Sequence, residues 1–189
     1  MVSRGKTNKT GIDEALVKAL GNLLIDNSIE NIKVIDICKE ANIPRSTFYY
    51  HFNDKYELLE YMVKSLTSNI ANEVINNNPS NIREYYSNLE KIITHYIYDN
   101  KELYSSIILK NEDMRTLKIL GDIISDDLKE RLYEEEEKGY KFKYPVEVVS
   151  EFYVGGISRL SSFWMKNIDK YGPDDLYRYL DELTTSLFE

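Results

Sequence analysis

Residues 33–55 read KVIDICKEANIPRSTFYYHFNDK, and their pattern predicts two short helices joined by a tight turn. Four apolar residues recur at three- and four-residue steps and so share one face of the first helix: Val34, Ile37, Cys38 and Ala41. Asn42 follows them, and Asn tolerates the left-handed backbone that often ends a helix. Pro44 then supplies a φ angle already set for a new helical turn. This order predicts a helix-turn-helix.

The second helix of the pair carries an unusual density of polar side chains for its length. Phe48 and Phe52 lie four residues apart, so we expect them to be buried anchors on one face. Its other side chains can all form hydrogen bonds: Arg45, Ser46, Thr47, Tyr49, Tyr50 and His51. A helix this short is not stable alone. We therefore expect the two anchors to fix it to the protein and its polar face to contact a partner.

The stretch resembles the DNA-binding motif of the tetracycline-repressor (TetR) family of bacterial regulators. The resemblance rests on a TFY-x-HF-x-x-K-x-x-LL run and the helix before it: Val34, Asp36, Ile37, Ala41, Ile43, Arg45, Thr47, Phe48, Tyr49, His51, Phe52, Lys55, Leu58 and Leu59. It covers about the first third of the chain. It implies an all-α protein of about nine helices, with a three-helix helix-turn-helix DNA-binding domain over 1–55 and a helical ligand-binding and dimerisation domain over 56–189.

Two residues depart from the family pattern. Lys33 stands where the family usually has a threonine cap, and Ile35 stands where a polar residue often faces the DNA backbone. These departures remove the usual phosphate contacts of the first motif helix, although Lys33 could supply one itself. Asn42 replaces the glycine common in the turn, and the same backbone conformation accepts it.

The side chains of the second helix suggest specific DNA contacts, and the resemblance assigns contacts to these same positions. Arg45, near the helix N-terminus, suits a bidentate contact to guanine. Hydroxyl groups suit phosphate oxygens, and threonine can also touch a thymine methyl. The contacts we predict come from eight residues: Lys33, Arg45, Ser46, Thr47, Tyr49, Tyr50, His51 and Lys55. His51 and Lys55 lie at the far end, where they suit the sugar–phosphate chain.

Capping residues and breaks divide the rest of the chain into helices. Three pairs have the spacing of a capping box and predict helix starts: Thr10 with Asp13, Asp54 with Glu57, and Asn81 with Glu84. NNNPSN at 76–81 and YGP at 171–173 predict breaks, and Pro145 predicts the start of a strongly apolar helix. No strand-like alternation of useful length is present, so the prediction is all-α.

The charge distribution argues against bulk electrostatic binding to DNA. The net charge is −8, which is the wrong sign for such binding. Residues 1–60 hold 8 basic and 9 acidic side chains, whereas the remaining residues hold 16 and 23. Arg4, Lys6 and Lys9 add positive charge before the first helix. We therefore expect specific binding with weak non-specific affinity.

Composition limits the other classes of function. One cysteine excludes an internal disulfide and suits a reducing cytoplasm. No apolar run approaches the roughly 20 residues that span a bilayer, and the N-terminus lacks a signal-peptide core, so we expect a cytoplasmic protein without a membrane segment. Two histidines and one cysteine give no metal-ligand spacing, and no nucleotide loop or catalytic triad is visible. We expect no metal, no cofactor and no catalysis.

Aromatic residues beyond residue 80 suggest a small-molecule pocket. Twelve of the 16 tyrosines lie there, and tyrosine suits pocket walls, although it is also an ordinary helix-packing residue. Arg159 falls along an otherwise apolar helix, where it would pair with a carboxylate, face an anionic ligand or lie on a wetter edge. The ligand-binding candidates are Tyr96, Tyr104, Phe152, Arg159 and Trp164.

The last two helices are expected to form a homodimer. Gly155 and Gly156 would weaken a helix by about 1 kcal/mol each relative to alanine, which suggests close backbone approach. Two copies of the apolar stripes at 149–164 and 176–187 would make a four-helix bundle. The expected interface residues are Tyr153, Gly156, Leu160, Leu176, Leu180, Leu183 and Leu187. A twofold dimer requires a near-palindromic operator.

The resulting hypothesis is a dimeric transcriptional repressor that is released from its DNA operator by a small-molecule effector. Ligand in the C-terminal core would shift the helix beginning at Asp54 and change the separation of the two recognition helices. An activator, or a regulator whose effector is a protein, stays open as an alternative. So does a helical adaptor that has lost DNA binding, because of the acidic charge, Lys33 and Ile35.

Overall fold

A computed structural model of the chain describes residues 11–109 and 114–188, and within these ranges it contains nine α-helices, one short 3₁₀ helix and no strand. The helices are α1 Gly11–Asp26, α2 Val34–Ala41, α3 Arg45–His51, α4 Lys55–Asn76, α5 Ile82–Asp99, α6 Lys101–Leu109, α7 Met114–Glu137, α8 Val146–Met165 and α9 Pro173–Thr184, followed by the 3₁₀ helix Thr185–Leu187. The predicted all-α class and helix number are confirmed. Thr10 and the basic residues Arg4, Lys6 and Lys9 lie outside the described residues.

Helices α1, α2 and α3 form the N-terminal head, which packs around one apolar core. Its most buried side chains are each no more than 1% exposed: Leu16, Leu20, Leu24, Ile37 and Phe48. Leu58 and Leu59 from the first turn of α4 belong to the same core. Complete burial of one such side chain contributes roughly 1.5–3 kcal/mol. The head is therefore stabilised partly by the helix that follows it.

The turn between α2 and α3 has the geometry that the sequence predicts. Asn42 adopts φ 54° and ψ 43°, which is the left-handed region. The Asn42 N–H donates to the Lys39 carbonyl at 3.1 Å, and the Ile43 N–H donates to the Cys38 carbonyl at 2.9 Å. These bonds satisfy the last carbonyls of α2. They fix the turn between α2 and α3.

Helix α4 joins the head to the remaining helices. The Asp54 carboxylate caps its N-terminus by accepting from the Tyr56 N–H at 2.8 Å and from the Glu57 N–H at 2.9 Å. Glu57 in turn accepts from the Asn53 N–H at 2.6 Å. The later turns of α4 pack against α5 and α7. One continuous helix thus contacts both the head and the C-terminal core.

The C-terminal helices pack mainly as two pairs, α5 with α9 and α7 with α8. One apolar cluster includes Tyr86, Leu132 and Tyr153, and another includes Trp164 and Leu176. Among the residues that the structure describes, no helix is both long enough and apolar enough to cross a lipid bilayer.

Candidate nucleic-acid interface and effector cavity

Helix α3 buries one face and presents the other to solvent. Phe48 is completely buried, and its ring lies 6.0 Å from that of Phe52, centroid to centroid. Four neighbouring side chains are exposed and form what we call the recognition face: Arg45, Ser46, Tyr49 and Tyr50. Tyr50 is 87% exposed, so its ring takes almost no part in the packing of the head. Thr47 is half-buried beside this face. The predicted separation of anchors from polar residues is present.

His51 faces the interior of the head instead of solvent. Its Nδ1 atom lies 2.7 Å from Oδ1 of Asp13 on α1, and the two side chains are only 14% and 4% exposed. The pair connects the last residue of α3 to α1. His51 therefore helps to fix the orientation of α3. Its contact with a sugar–phosphate chain stays a prediction.

Lys55 also forms internal contacts that the sequence did not suggest. Its ammonium donates to the backbone carbonyls of Glu30 and Ile32, each at 2.8 Å. An ammonium has three N–H donors, and at least two of those of Lys55 are used within the protein. Lys55 therefore joins the start of α4 to the loop between α1 and α2, and its contact with DNA stays a prediction.

Lys33 lies at the N-terminus of α2 with its side chain exposed. Its backbone N–H donates to Oδ2 of Asp36 at 3.2 Å, while its side chain forms no cap. Ile35, in the first turn of α2, is 39% exposed. The ammonium of Lys33 is thus free of a capping role and lies in the same helix-turn-helix as the recognition face.

A cavity of about 1100 Å³ lies among the C-terminal helices and reaches the head. Its wall is mostly apolar and includes residues from α1 and from every helix between α4 and α9. Of the five predicted ligand contacts, Tyr96 and Tyr104 lie in this wall. The volume and the apolar wall are typical of a small-molecule site.

The other three predicted ligand contacts lie away from the cavity. Phe152 is 66% exposed, and Arg159 is also exposed to solvent. Trp164 is 1% exposed and belongs to a core cluster, where its indole N–H donates to the Tyr171 carbonyl at 2.8 Å. These three predictions are corrected, because α8 turns Phe152 and Arg159 outward and packs Trp164 against its neighbours. Of the three alternatives for Arg159, the structure shows the solvent-exposed one.

The predicted dimer residues divide between the interior and the surface. Tyr153, Leu176 and Leu180 are at most 5% exposed and line the cavity, so the structure contradicts a surface role for them. Leu160 and Leu187 are half-buried against core clusters. Gly156 and Leu183 are exposed, and Leu183 is 66% exposed.

A different set of apolar residues on α8 is exposed. Val148 is 55% exposed, Phe152 66% and Phe163 50%, and their spacing with Gly156 places them on one side of the helix. We call these four residues the α8 apolar face. The three- and four-residue spacing was available in the sequence, but α8 is apolar on several sides, so periodicity alone did not select the outward one.

The cavity contains one buried carboxylate that the sequence reasoning missed. Glu90 on α5 is 3% exposed and lines the cavity. Its Oε1 accepts hydrogen bonds from the Tyr153 hydroxyl at 3.0 Å and the Thr184 hydroxyl at 3.1 Å. Oε2 has no hydrogen-bond partner among the described residues. Glu90 lies four residues after Tyr86 and seven before Ile97, both in the cavity wall, and this helical spacing was the signal.

Burial dominates the electrostatics of this carboxylate. Desolvation raises the pKa of Glu90 to about 7, the hydrogen bonds from Tyr153 and Thr184 oppose the rise, and the negative charge of Asp181 adds to it. Burial also raises the pKa of Tyr85 to about 12. The hydroxyls of Tyr85 and Tyr86 are buried and, like Oε2, lack hydrogen-bond partners among the described residues.

Two family comparisons match most of the chain. The family described as bacterial regulatory proteins, tetR family, matches residues 16–62, which include the recognition face. A second family, described as the transcriptional regulator C-terminal region, matches residues 84–186. The chain belongs to the TetR family of bacterial transcriptional regulators. The family match therefore includes the C-terminal helices as well as the helix-turn-helix.

Individual relatives of this TetR-family chain agree in fold. It is 31% identical over 96 residues to the dhaKLM operon transcriptional activator DhaS of Lactococcus lactis, a match over 50% of this chain and 47% of that protein. The chain thus spans about half the length of this relative. The fatty acid degradation regulator FadR of Bacillus halodurans has a TM-score of 0.69 at 17% identity, covering 94% of this chain and 96% of that one. FadR of Bacillus subtilis, solved with stearoyl-CoA, has a TM-score of 0.70 at 17% identity, covering 93% and 99%.

The two matched regions of this TetR-family regulator separate its functional parts. The first contains the recognition face, and the second contains Glu90, Tyr153 and Thr184. Helix α4 begins in the first region and continues beyond it. Leu58 and Leu59 at its start lie in the core of the head, while Ile70 and Ala71 in its later turns line the cavity. The helix therefore connects the DNA-binding head to the cavity directly.

Proposed function

We propose that this regulator acts as a homodimer that binds a near-palindromic operator and releases it when a small-molecule effector enters the 1100 Å³ cavity. The observation that carries the proposal is the continuity of α4. Its first turn is packed in the head and its later turns line the cavity, so a ligand that moves this helix also moves α3. A coupling free energy of about 1–3 kcal/mol would be ordinary for such a switch.

On the DNA side, α3 enters the major groove with its recognition face against the bases and phosphates. Arg45 contacts guanine, while Ser46, Thr47, Tyr49 and Tyr50 donate to phosphates or touch base edges. Lys33 reaches a phosphate from the start of α2. Lys55 and His51 add sugar–phosphate contacts near the junction of α3 and α4, in addition to their contacts within the head. The net charge of −8 favours geometry-dependent over non-specific binding.

The homodimer forms through α8 and α9 of each copy. The α8 apolar face and Leu183 expose large hydrophobic side chains that the described helices leave uncovered. A Cβ atom added at Gly155 or Gly156 would meet nothing within 4 Å among the described residues, so close packing against these residues does not explain the two glycines. Two copies of α8 and α9 would bury these surfaces as a four-helix bundle.

The apolar wall of the cavity favours an effector with a long apolar part. Such an effector is consistent with the stearoyl-CoA bound by a regulator of the same fold.

Activation is the second candidate, and it is favoured by the 31% identity to the activator DhaS over 96 residues. Transcription from the promoter of the chain's own gene, compared with and without that gene, separates the two. Repression predicts higher transcription without the gene, and activation predicts lower transcription. Unchanged transcription at that promoter, together with no bound DNA sequence, would instead support a helical adaptor that has lost DNA binding.

Replacing Arg45 by alanine should relax base preference at one position of each half-site. A bidentate arginine–guanine contact contributes about 1–3 kcal/mol of discrimination, and alanine removes it while leaving the buried anchors intact. The base preferences of wild type and Arg45→Ala are compared by sequencing duplexes selected from a random pool. Lys64→Ala removes one exposed positive charge from α4 and serves as the control. An unchanged preference in Arg45→Ala would refute its assigned contact.

A further inference from the structure

Glu90 is a buried carboxylate in the wall of the apolar cavity. Tyr85, Tyr86 and Tyr153 line the cavity together with the carboxylate. The rings of Tyr85 and Tyr86 lie 5.1 Å apart, and those of Tyr86 and Tyr153 lie 5.5 Å apart, centroid to centroid. Thr184 completes the group from α9. We call these five residues the carboxylate site.

The carboxylate site is incomplete in its hydrogen bonds. Oε1 of Glu90 accepts from two hydroxyls, while Oε2 is buried and unpartnered among the described residues. An ionised carboxylate in an apolar cavity is costly unless a donor or a positive charge compensates it. The residues that the structure describes supply no such group to Oε2, so a ligand that donates to this atom would gain the compensation.

The charges around the site favour a positive ligand. The titratable or charged side chains that interact electrostatically with residues of this site are Tyr85 and Tyr86 on α5, Tyr153 on α8, Asp181 on α9, and Asp127 and Arg131 on α7. Arg131 is paired with Asp127 through bonds of 3.0 and 3.3 Å, which compensates its charge. Glu90 and Asp181 therefore leave an excess of negative charge. Lys18 and Lys118 also line the cavity, from α1 and α7, but both are exposed.

The aromatic rings provide a second attraction for a cation. The faces of aromatic rings carry partial negative charge, and groups of such rings bind organic ammonium ions in proteins. The ring of Tyr85 already has the Arg131 guanidinium 4.5 Å from its centroid, so a cation is tolerated at this end of the protein. An ammonium that donates to Oε2 would lie beside Tyr86 and Tyr153 as well.

We propose that the effector is an amphipathic organic cation whose ammonium group donates to Oε2 of Glu90 and whose apolar part occupies the rest of the cavity. This inference rests on the proposed function, since it takes the cavity to be the effector site. It differs from what the stearoyl-CoA complex would suggest, because an anionic head group at Glu90 would meet a like charge. An anionic ligand could instead bind with its apolar tail at Glu90, and the test below distinguishes this ligand from a cation.

Binding of such a cation should depend on pH around neutrality. The pKa of Glu90 is about 7, so its ionised fraction rises about tenfold between pH 6 and pH 8. An alkylammonium with a pKa near that of lysine, about 10.4, keeps its charge throughout this range. The affinity should therefore rise about tenfold from pH 6 to pH 8 and level off above that. Bound cation should correspondingly lower the pKa of Glu90.

The test is calorimetric titration of the full chain with decylammonium and decanoate below their micelle concentrations, and with decanol below its solubility limit. At pH 8, wild type should bind decylammonium about 10- to 100-fold more tightly than decanol, because one charge-assisted hydrogen bond strengthens binding by about this factor. Glu90→Gln should lose this preference and the pH dependence while still binding decanol. Glu151→Gln is the control, because Glu151 lines the same cavity with an exposed side chain.

Three results would overturn the inference. Decanoate could bind most tightly, decylammonium and decanol could bind equally, or Glu90→Gln could keep the preference for the cation. In each, the cavity still binds a ligand, so the proposed function survives. Binding of no probe by wild type would overturn both. If Glu90→Gln does not fold, as judged by circular dichroism, the pH dependence of wild-type binding decides: a flat profile between pH 6 and pH 8 contradicts the role of Glu90.

Discussion

Replacing Phe152 by glutamate is expected to convert the regulator to a monomer and to lower its operator affinity by about 10³-fold or more. Phe152 is 66% exposed at the centre of the α8 apolar face, so the substitution costs the protomer little. In a twofold interface the same change occurs on both sides, which places two like charges in an apolar contact. A monomer carries one α3 helix and loses the second half-site.

Sedimentation velocity measures the first effect, and fluorescence anisotropy with a labelled operator measures the second. The matched control is Ile75→Glu, which places the same charge on a 48% exposed apolar residue at the end of α4. The control should stay dimeric and bind the operator normally. If Phe152→Glu is also dimeric with wild-type affinity, the α8 apolar face is not the dimer interface.

The second large effect concerns stability and pH. The pKa of Glu90 is about 7 in the folded chain, compared with an ordinary value of 4.5, so the folded state binds this proton more tightly than the unfolded state. The resulting stability is fully present below pH 4.5 and is lost as the pH rises through 7. The loss amounts to about 3 kcal/mol for a shift of this size. Wild type should therefore lose this amount relative to Glu90→Gln, which has no proton to release.

Urea denaturation of the two proteins at pH 4.5 and pH 8 measures this difference. Other titrating groups are common to both, so their contributions cancel when the free energies of unfolding are subtracted. Glu151→Gln removes an exposed carboxylate from α8 and should follow wild type at both pH values. Parallel pH profiles for wild type and Glu90→Gln would show that Glu90 is not desolvated in the folded chain.

The head could be predicted from sequence because its determinants are local. The turn at Asn42, the cap at Asp54 and the anchors Phe48 and Phe52 each depend on residues within a few positions of one another. Local spacing also predicts which side of a short amphipathic helix is buried. The internal contacts of Lys55 were missed because its carbonyl acceptors lie 23 and 25 residues earlier.

The cavity and the exposed α8 apolar face could not be predicted in the same way. Tyr153 and Phe152 are adjacent on an apolar helix, yet one is 3% and the other 66% exposed. Long-range packing distinguishes them, because Tyr153 contacts Tyr86 and Glu90 on α5. Glu90 looks like a surface residue in a charged helix. It is buried by contacts that local sequence does not show, because its partners Tyr153 and Thr184 lie 63 and 94 residues further along the chain.

The central claim is that two recognition faces read one twofold-related DNA site. Selection of duplexes from a random pool by the full chain at moderate salt tests it most directly. We expect an enriched near-palindrome whose half-sites are one helical turn apart, about 34–36 Å between centres. Enrichment of no sequence, or of a single half-site without its twofold mate, would contradict it.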